Sequence, residues 1–167
     1  APGGVAQAAI DPSRVWLTVD GGAGAHSGTF QVLSFDGETL RQEIGGASSS
    51  PGAGYLADLN GDGVNDVVLN GTEYYVFCYA CGVRNVGYTV MRWNGAEMET
   101  VELSEIDDAG DSELAVINNQ AVEQAGVGLW KDALETGIEG LALSIYDPTY
   151  DWNFAVINLN AAAKRDA

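Results

Sequence analysis

The sequence predicts an α+β chain: two blade-like antiparallel β units followed by a three-helix C-terminal segment. Three observations carry this. "TFQVLSFDGETLRQEI" from Thr29 and "GYTVMRWNGAEMETVE" from Gly87 align without a gap, pairing Phe30 with Tyr88, Val32 with Val90, Phe35 with Trp93 and Leu40 with Met98. A fixed period of this kind marks a repeated supersecondary unit. Each copy contains a turn dipeptide, Asp36-Gly37 or Asn94-Gly95, that tolerates the positive φ of a two-residue hairpin. From about Asp111 the apolar residues change to helical spacing.

Taken in chain order, residues 1–13 are small and poor in large apolar side chains, which predicts an extended or loose arm. The arm begins with Ala rather than Met. Signal peptidase leaves such an end, as does removal of an initiator Met. Residues 14–106 form the expected β domain. "RVWLTV" and "EYYVFCY" are β-branched and aromatic and predict the first strand of each copy. A Gly-rich link follows, with Gly24 matching Gly82, and then the hairpin. The alternation leaves one face largely apolar, while Leu33, Phe35, Met91 and Trp93 cover parts of the other.

Between the copies stands "DLNGDGVNDVVLNG", Asp58 to Gly71. Asp58, Asn60 and Asp62 alternate, so their side chains point inward as the chain curls. Gly63 permits the sharp turn, the Val64 carbonyl offers a further oxygen and Asp66 closes the set. Calcium takes six to eight hard oxygens, and this spacing predicts one bound Ca²⁺. An EF-hand would need Glu at the twelfth position and flanking helices; Leu69 and a strand-like "VVLNG" stand there instead.

"LADLNGDGVNDVVLNG" resembles the FG-GAP or VCBS repeat of integrin-α-like β-propellers, in which such a loop joins two strands and binds calcium. The resemblance runs from Arg14 to about Leu103. It implies the side chains of Asp58, Asn60, Asp62 and Asp66, with the Val64 carbonyl, as ligands. A closed ring needs about seven blades and the chain has room for two. The β units are therefore expected as a small sandwich or a partial propeller.

The two cysteines, Cys78 and Cys81, lie in "YVFCYACGVR". Gly82 stands where haem attachment would need His, and His26 alone cannot complete a zinc site. A local disulfide formed in an oxidising compartment is the preferred reading; two reduced, half-buried thiols are the alternative.

Residues 107–167 read as helical. Asp111 is the expected cap of "SELAVINNQAVEQAG", with Leu114, Ile117, Ala121 and Ala125 on one face. A second helix carries the stripe Trp130, Ala133, Leu134, Ile138, Leu141, Ala142 and Ile145. Asp147-Pro148 reads as cap and first residue of a third. Its expected inner face is Trp152, Ala155, Val156, Leu159 and Ala163. The segment "NNQAVEQAGVGLWKDALETGIEGLALSIYDP" resembles one tetratricopeptide unit plus the next helix, and such units stack on neighbours.

The formal charge is −17, from 24 acidic and 7 basic residues. It disfavours nucleic acid and anionic membranes and suits cations or a basic protein partner. No run has the length of a transmembrane helix, so no direct membrane insertion is expected. Catalytic motifs such as G-x-S-x-G, H-E-x-x-H and the P-loop are missing, and no enzyme is expected. Glu97, Glu99, Glu102, Glu105, Asp107 and Asp108 form an acidic stretch, read as a solvated face or a docking patch. The composite expectation is a secreted or periplasmic calcium-binding interaction module, an accessory subunit of a larger assembly. Trp152, Phe154 and Ile157 are its expected partner-binding residues. The alternative is carbohydrate binding, with Trp16, Trp93 and Tyr88 stacking on sugars.

Overall fold

Each copy of the repeat supplies the last hairpin of a four-stranded antiparallel sheet. The computed structural model describes residues 3–22, 26–49, 52–107 and 112–165. The first sheet contains β1 (Gly4–Ala8), β2 (Val15–Gly21), β3 (Gly28–Phe35) and β4 (Leu40–Ser48), hydrogen-bonded in that order. The second contains β5 (Gly54–Ala57), β6 (Asp66–Asn70), β7 (Tyr88–Trp93) and β8 (Met98–Thr100), again in sequence order. Three helices follow, which completes the α+β arrangement. The chain divides into two units, Ala1–Thr100 and Val101–Ala167, with the boundary ahead of the expected 106/107.

Each sheet has four strands where three were expected: the N-terminal arm adds one to the first, and β5 and β6 stand in place of one expected strand in the second. The N-terminal arm is extended, and all five residues of β1 pair with β2, from Gly4 opposite Asp20 to Ala8 opposite Trp16. β5 pairs with β6, Gly54 opposite Leu69. This second pairing overturns one strand assignment. "EYYVFCY" forms no strand, because β6 already occupies the edge of β7 that this segment would need. Gly24 and its match to Gly82 lie partly outside the described residues.

The hairpins fall where the sequence places them, but their loops have four residues rather than two. Phe35 pairs with Leu40 and Trp93 with Met98. The cause is the side chain that opens each turn. Asp36 Oδ1 accepts the Glu38 and Thr39 amides at 3.0 and 2.8 Å, and Asn94 Oδ1 accepts those of Ala96 and Glu97 at 2.9 and 3.0 Å. Such Asx capture holds two amides that a tighter turn would place elsewhere. Gly37 and Gly95 take φ of 101° and 99°. The repeat thus holds to the level of single hydrogen bonds.

The two sheets share one core. Trp16, Phe30, Val32 and Ile44 from the first sheet meet Ala53, Val67, Leu56, Leu69, Met91 and Trp93 from the second. Trp16 and Trp93 meet edge to face with centroids 4.9 Å apart, a favoured aromatic geometry. The approach is close at Gly54, where a Cβ would stand 2.6 Å from the Phe30 ring. The β3–β4 register shifts between Val32 and Leu33. Arg14 there donates to Glu43 at 3.4 Å and lies 4.8 Å over the Trp93 ring.

In the second unit, α1 spans Glu113–Gly126, α2 Trp130–Leu141 and α3 Pro148–Arg165. The expected cap Asp111 lies outside the described residues; Ser112 Oγ accepts the Ala115 amide at 3.4 Å as N-cap. Leu114, Ile117, Ala121 and Ala125 are all buried on α1. Asp147 caps α3 through the Thr149 and Tyr150 amides at 2.8 and 3.0 Å, as the Asp-Pro pair predicts.

The inner face of α2 follows the expected stripe only in its first half, where Ala133 is buried and Trp130 and Leu134 pack on the core. Ala133, Gly137 and Gly140 are buried, while Ile138, Leu141 and Ile145 are about half exposed, at 51, 51 and 53%. Added Cβ atoms on Gly140 and Gly137 would stand 2.6 Å from the Tyr150 ring and 3.0 Å from that of Phe154. Small residues let these two α3 rings approach the α2 backbone, and Tyr150 donates its hydroxyl to the Gly137 carbonyl at 2.5 Å. Trp130 and Leu134 pack, partly buried, against the core of Ala121, Ala125, Ala133 and Ile157, and Ile138 and Leu141 are left on the outer side.

Candidate functional site

The loop that carries the acidic spacing joins β5 to β6, with Ala57 and Asp66 opposite each other at its base. Its interior is organised by Asp58. Asp58 Oδ1 accepts the Gly61 and Asp62 amides at 2.8 and 3.1 Å, and Oδ2 accepts that of Gly63 at 2.9 Å. Gly61 and Gly63 take φ of 77° and 86°, which lets the chain wrap around that carboxylate. Asn60 Oδ1 accepts the Asp62 amide at 3.1 Å while its Nδ2 donates to Asp62 Oδ2 at 2.9 Å. Asp62 Oδ1 accepts the Val64 amide at 2.8 Å. From outside, Asn65 fixes the loop by donating its amide and Nδ2 to the Ala9 carbonyl at 3.1 and 2.9 Å.

Asp66 differs from the others. It is 3% exposed, and its Oδ2 accepts the Leu59 amide at 3.0 Å. Burial pushes its carboxyl from 3.8 up to about 6, the Asp62 and Asp58 charges push the same way, and the Leu59 amide opposes them. A buried carboxylate facing two more of like sign is an electrostatic deficit that a cation relieves.

Among the described residues, no three His, Cys, Asp or Glu side chains gather as a metal's ligands would. The loop's oxygens are instead engaged with its own amides. The donor set is nonetheless all hard oxygen: three carboxylates, the Asn60 amide and the Val64 carbonyl. A carboxylate has about four lone-pair sites, so accepting amides leaves capacity for an ion. By donor chemistry and charge these residues fit calcium.

Cys78 and Cys81 are joined by a disulfide, with Cα atoms 5.3 Å apart. It clamps the excursion between β6 and β7. Glu73 and Asn85 exchange amide–carbonyl bonds at 2.9 Å, and the Gly71 amide donates to the Gly87 carbonyl at 3.0 Å, closing the neck. Beyond the neck Tyr75 and Phe77 are 64 and 75% exposed. Sequence reasoning missed this aromatic finger. The available signal was an aromatic run without strict alternation abutting C-x-x-C.

Other expected site residues are placed differently. Trp16 is buried, and Trp93 packs beside it under Arg14. Tyr88 is half-buried against Tyr55. These three offer no open platform for a sugar. Ile157 is 1% exposed in the core formed with Ala121, Ala125 and Ala133, so it is not a docking residue. Phe154 stacks on Tyr150 and covers Gly137. The buried residues of α3 are Tyr150, Asn153, Ala155, Val156, Ile157, Asn160 and Ala161, so Ala155 and Val156 of the expected face are inside while Leu159 and Ala163 are half-buried. Trp152 is half-buried.

In the acidic stretch, Glu99 is held below the usual carboxylate range by Asn94 and by Arg92, whose Nε lies 2.7 Å away. Farther along, Ser104 and Ile106 are tied to Asn153, Asn118 and Asn119 of the helices. Asp108 lies outside the described residues. No helix among the described residues is long and apolar enough to cross a membrane. No family model matches the chain, and neither a curated protein nor a solved structure matches it.

Proposed function

We propose that this chain is an exported, calcium-stabilised interaction module, a non-enzymatic subunit of a larger assembly. The observation that carries the calcium part is the buried Asp66 carboxyl, pushed up by burial and by the charges of Asp62 and Asp58. Bound calcium would supply the positive charge that these carboxylates lack. Asp58 and the two loop glycines hold the backbone curled, Asn65 anchors it to Ala9, and Asp66 ties the loop to the sheet core. The Cys78–Cys81 disulfide supports an oxidising compartment, where calcium modules bind at about 10⁻⁴–10⁻³ M. The likeness to FG-GAP or VCBS repeats agrees with two four-stranded meanders, the second of which carries this loop between β5 and β6, and the tetratricopeptide likeness belongs to the same proposal.

The test is thermal melting in millimolar calcium and in chelator, with heats of calcium binding measured in parallel. Calcium raises the melting temperature of the wild type and leaves Asp62→Ala unmoved. Equal melting with and without the ion, and no heat of binding, would reject the site. A second reading, carbohydrate binding, now rests on Tyr75 and Phe77 of the finger. A glycan array probed with wild type and Tyr75→Ala/Phe77→Ala tests it.

A further inference from the structure

We infer that Cys78–Cys81 is a thiol–disulfide exchange site that takes two electrons from the cysteine thiols of polypeptides with apolar side chains beside the cysteine. This goes beyond the proposed interaction module and does not rest on calcium.

Position is the first ground. Cys81 is exposed and Cys78 half-buried, so a thiolate reaches Cys81 Sγ from solvent. Exposed disulfides are the labile and catalytic ones, whereas structural disulfides resist reduction. The bond also does little for the fold. It joins residues three apart in sequence, and so short a ring removes little entropy from the unfolded chain. The neck below closes without it, through the paired Glu73 and Asn85 backbones and the Gly71 amide on the Gly87 carbonyl. The sheet beneath therefore keeps its pairing in both oxidation states.

Charge and surface select the substrate. From Tyr74 through Val83 no side chain is charged, and the flanking Glu73 and Arg84 are opposite in sign. In a chain of net charge −17, this is a neutral window. An anionic thiolate approaches it without the repulsion of a carboxylate-rich surface. Flanking the disulfide in the chain, Tyr75, Val76, Phe77 and Val83 are 64, 40, 75 and 44% exposed. These side chains leave water only against a substrate of like character. A cysteine between Leu and Phe gains that contact; a small hydrophilic thiol does not.

The exchange has two steps. A substrate thiolate attacks Cys81 Sγ, a mixed disulfide forms, and the Cys78–Cys81 bond breaks with Cys78 leaving as thiolate. A second substrate thiolate then attacks the substrate sulfur of that mixed disulfide and releases the Cys81 thiolate. Two substrate thiols end as one disulfide. Cys78 and Cys81 end as a dithiol, having gained two electrons and the two protons that the substrate thiols gave up.

The experiment adds three thiols separately to the oxidised 167-residue chain: the capped tripeptides Leu-Cys-Phe and Ser-Cys-Ser, and glutathione. Each is used without oxygen at equal concentration near pH 7.5, with acid quench, alkylation and intact mass at timed points. The expected result is loss of the disulfide at least about fivefold faster with Leu-Cys-Phe than with either other thiol, from apolar contact in the attacking complex. The first mixed disulfide maps to Cys81. Tyr75→Ser/Phe77→Ser, at two exposed positions, removes the preference while the glutathione rate stays within about twofold, since the reacting sulfurs are unchanged. Its circular dichroism matches wild type. A disulfide that survives all three thiols overturns the inference. So do equal rates for the two peptides, a first mixed disulfide on Cys78, or a double variant that keeps the preference.

Discussion

Asp66 concentrates the chemistry of the loop in one proton. Its carboxyl titrates at about 6 in the folded chain against 3.8 ordinarily. The folded state then holds this proton more tightly than the unfolded state does. Its contribution to stability is fully present below about pH 4 and is lost as pH rises through 6. Solvent screening at the loop mouth trims the energetic consequence to about 2 kcal/mol. Asp66→Asn keeps an acceptor for the Leu59 amide and removes the charge. Without calcium it should melt higher than wild type at pH 7, by up to about 2 kcal/mol, with the gain disappearing near pH 4. With calcium the order reverses, because the variant lacks an anionic ligand. Melting curves at both pH values, with and without calcium, check this. The spacing of Asp58, Asn60, Asp62 and Asp66 was legible in the sequence. The burial of Asp66 was not, because it comes from the pairing of β5 with β6 and the packing of both sheets.

Among the elements, α2 shows where periodicity misleads. A stripe of Leu and Ile at helical spacing predicts an inner face, yet in the second half of the helix the glycine face is the buried one. Ring-to-backbone packing of Tyr150 and Phe154 on Gly140 and Gly137 is a close-approach solution, and a sequence pattern scored by side-chain size cannot register it. Gly140→Ala should therefore destabilise the helical unit despite alanine's advantage of about 1 kcal/mol in helices. The added methyl meets the Tyr150 ring, and overpacking of this kind costs about 1–3 kcal/mol. Denaturant titration followed by far-ultraviolet circular dichroism measures the balance. The finger between β6 and β7 carries a comparable lesson. Its aromatic run has strand propensity, but propensity needs an unpaired edge, and β6 fills the one beside β7. Reducing Cys78–Cys81 opens only a very short ring, so global stability falls by no more than about 2 kcal/mol. Limited proteolysis should nonetheless cleave within residues 71–87 sooner after reduction, while the sheets stay resistant.

For the whole molecule, the repeat and the change to helical spacing were enough to give the fold class, because both are periodic signals spread over many residues. The fourth strand of each sheet was illegible. β1 and β5 are short, rich in glycine and alanine, and become strands only because a neighbouring edge recruits them. In β1 this modesty has a consequence for the life of the protein in solution. β1 shields the outer edge of β2, whose "VWLTVDG" is long, apolar and β-prone. An uncovered edge of that kind templates intermolecular cross-β growth. Deleting residues 3–9 should leave the core side chains of β2 in place, yet produce a protein that scatters light and binds thioflavin T on standing, after a lag shortened by seeding. A Lys placed at Leu17 of the truncated chain should slow that growth. The small, exposed first strand is thus a guard against fibrils, and a chain trimmed of it would lose shelf life before it lost its fold.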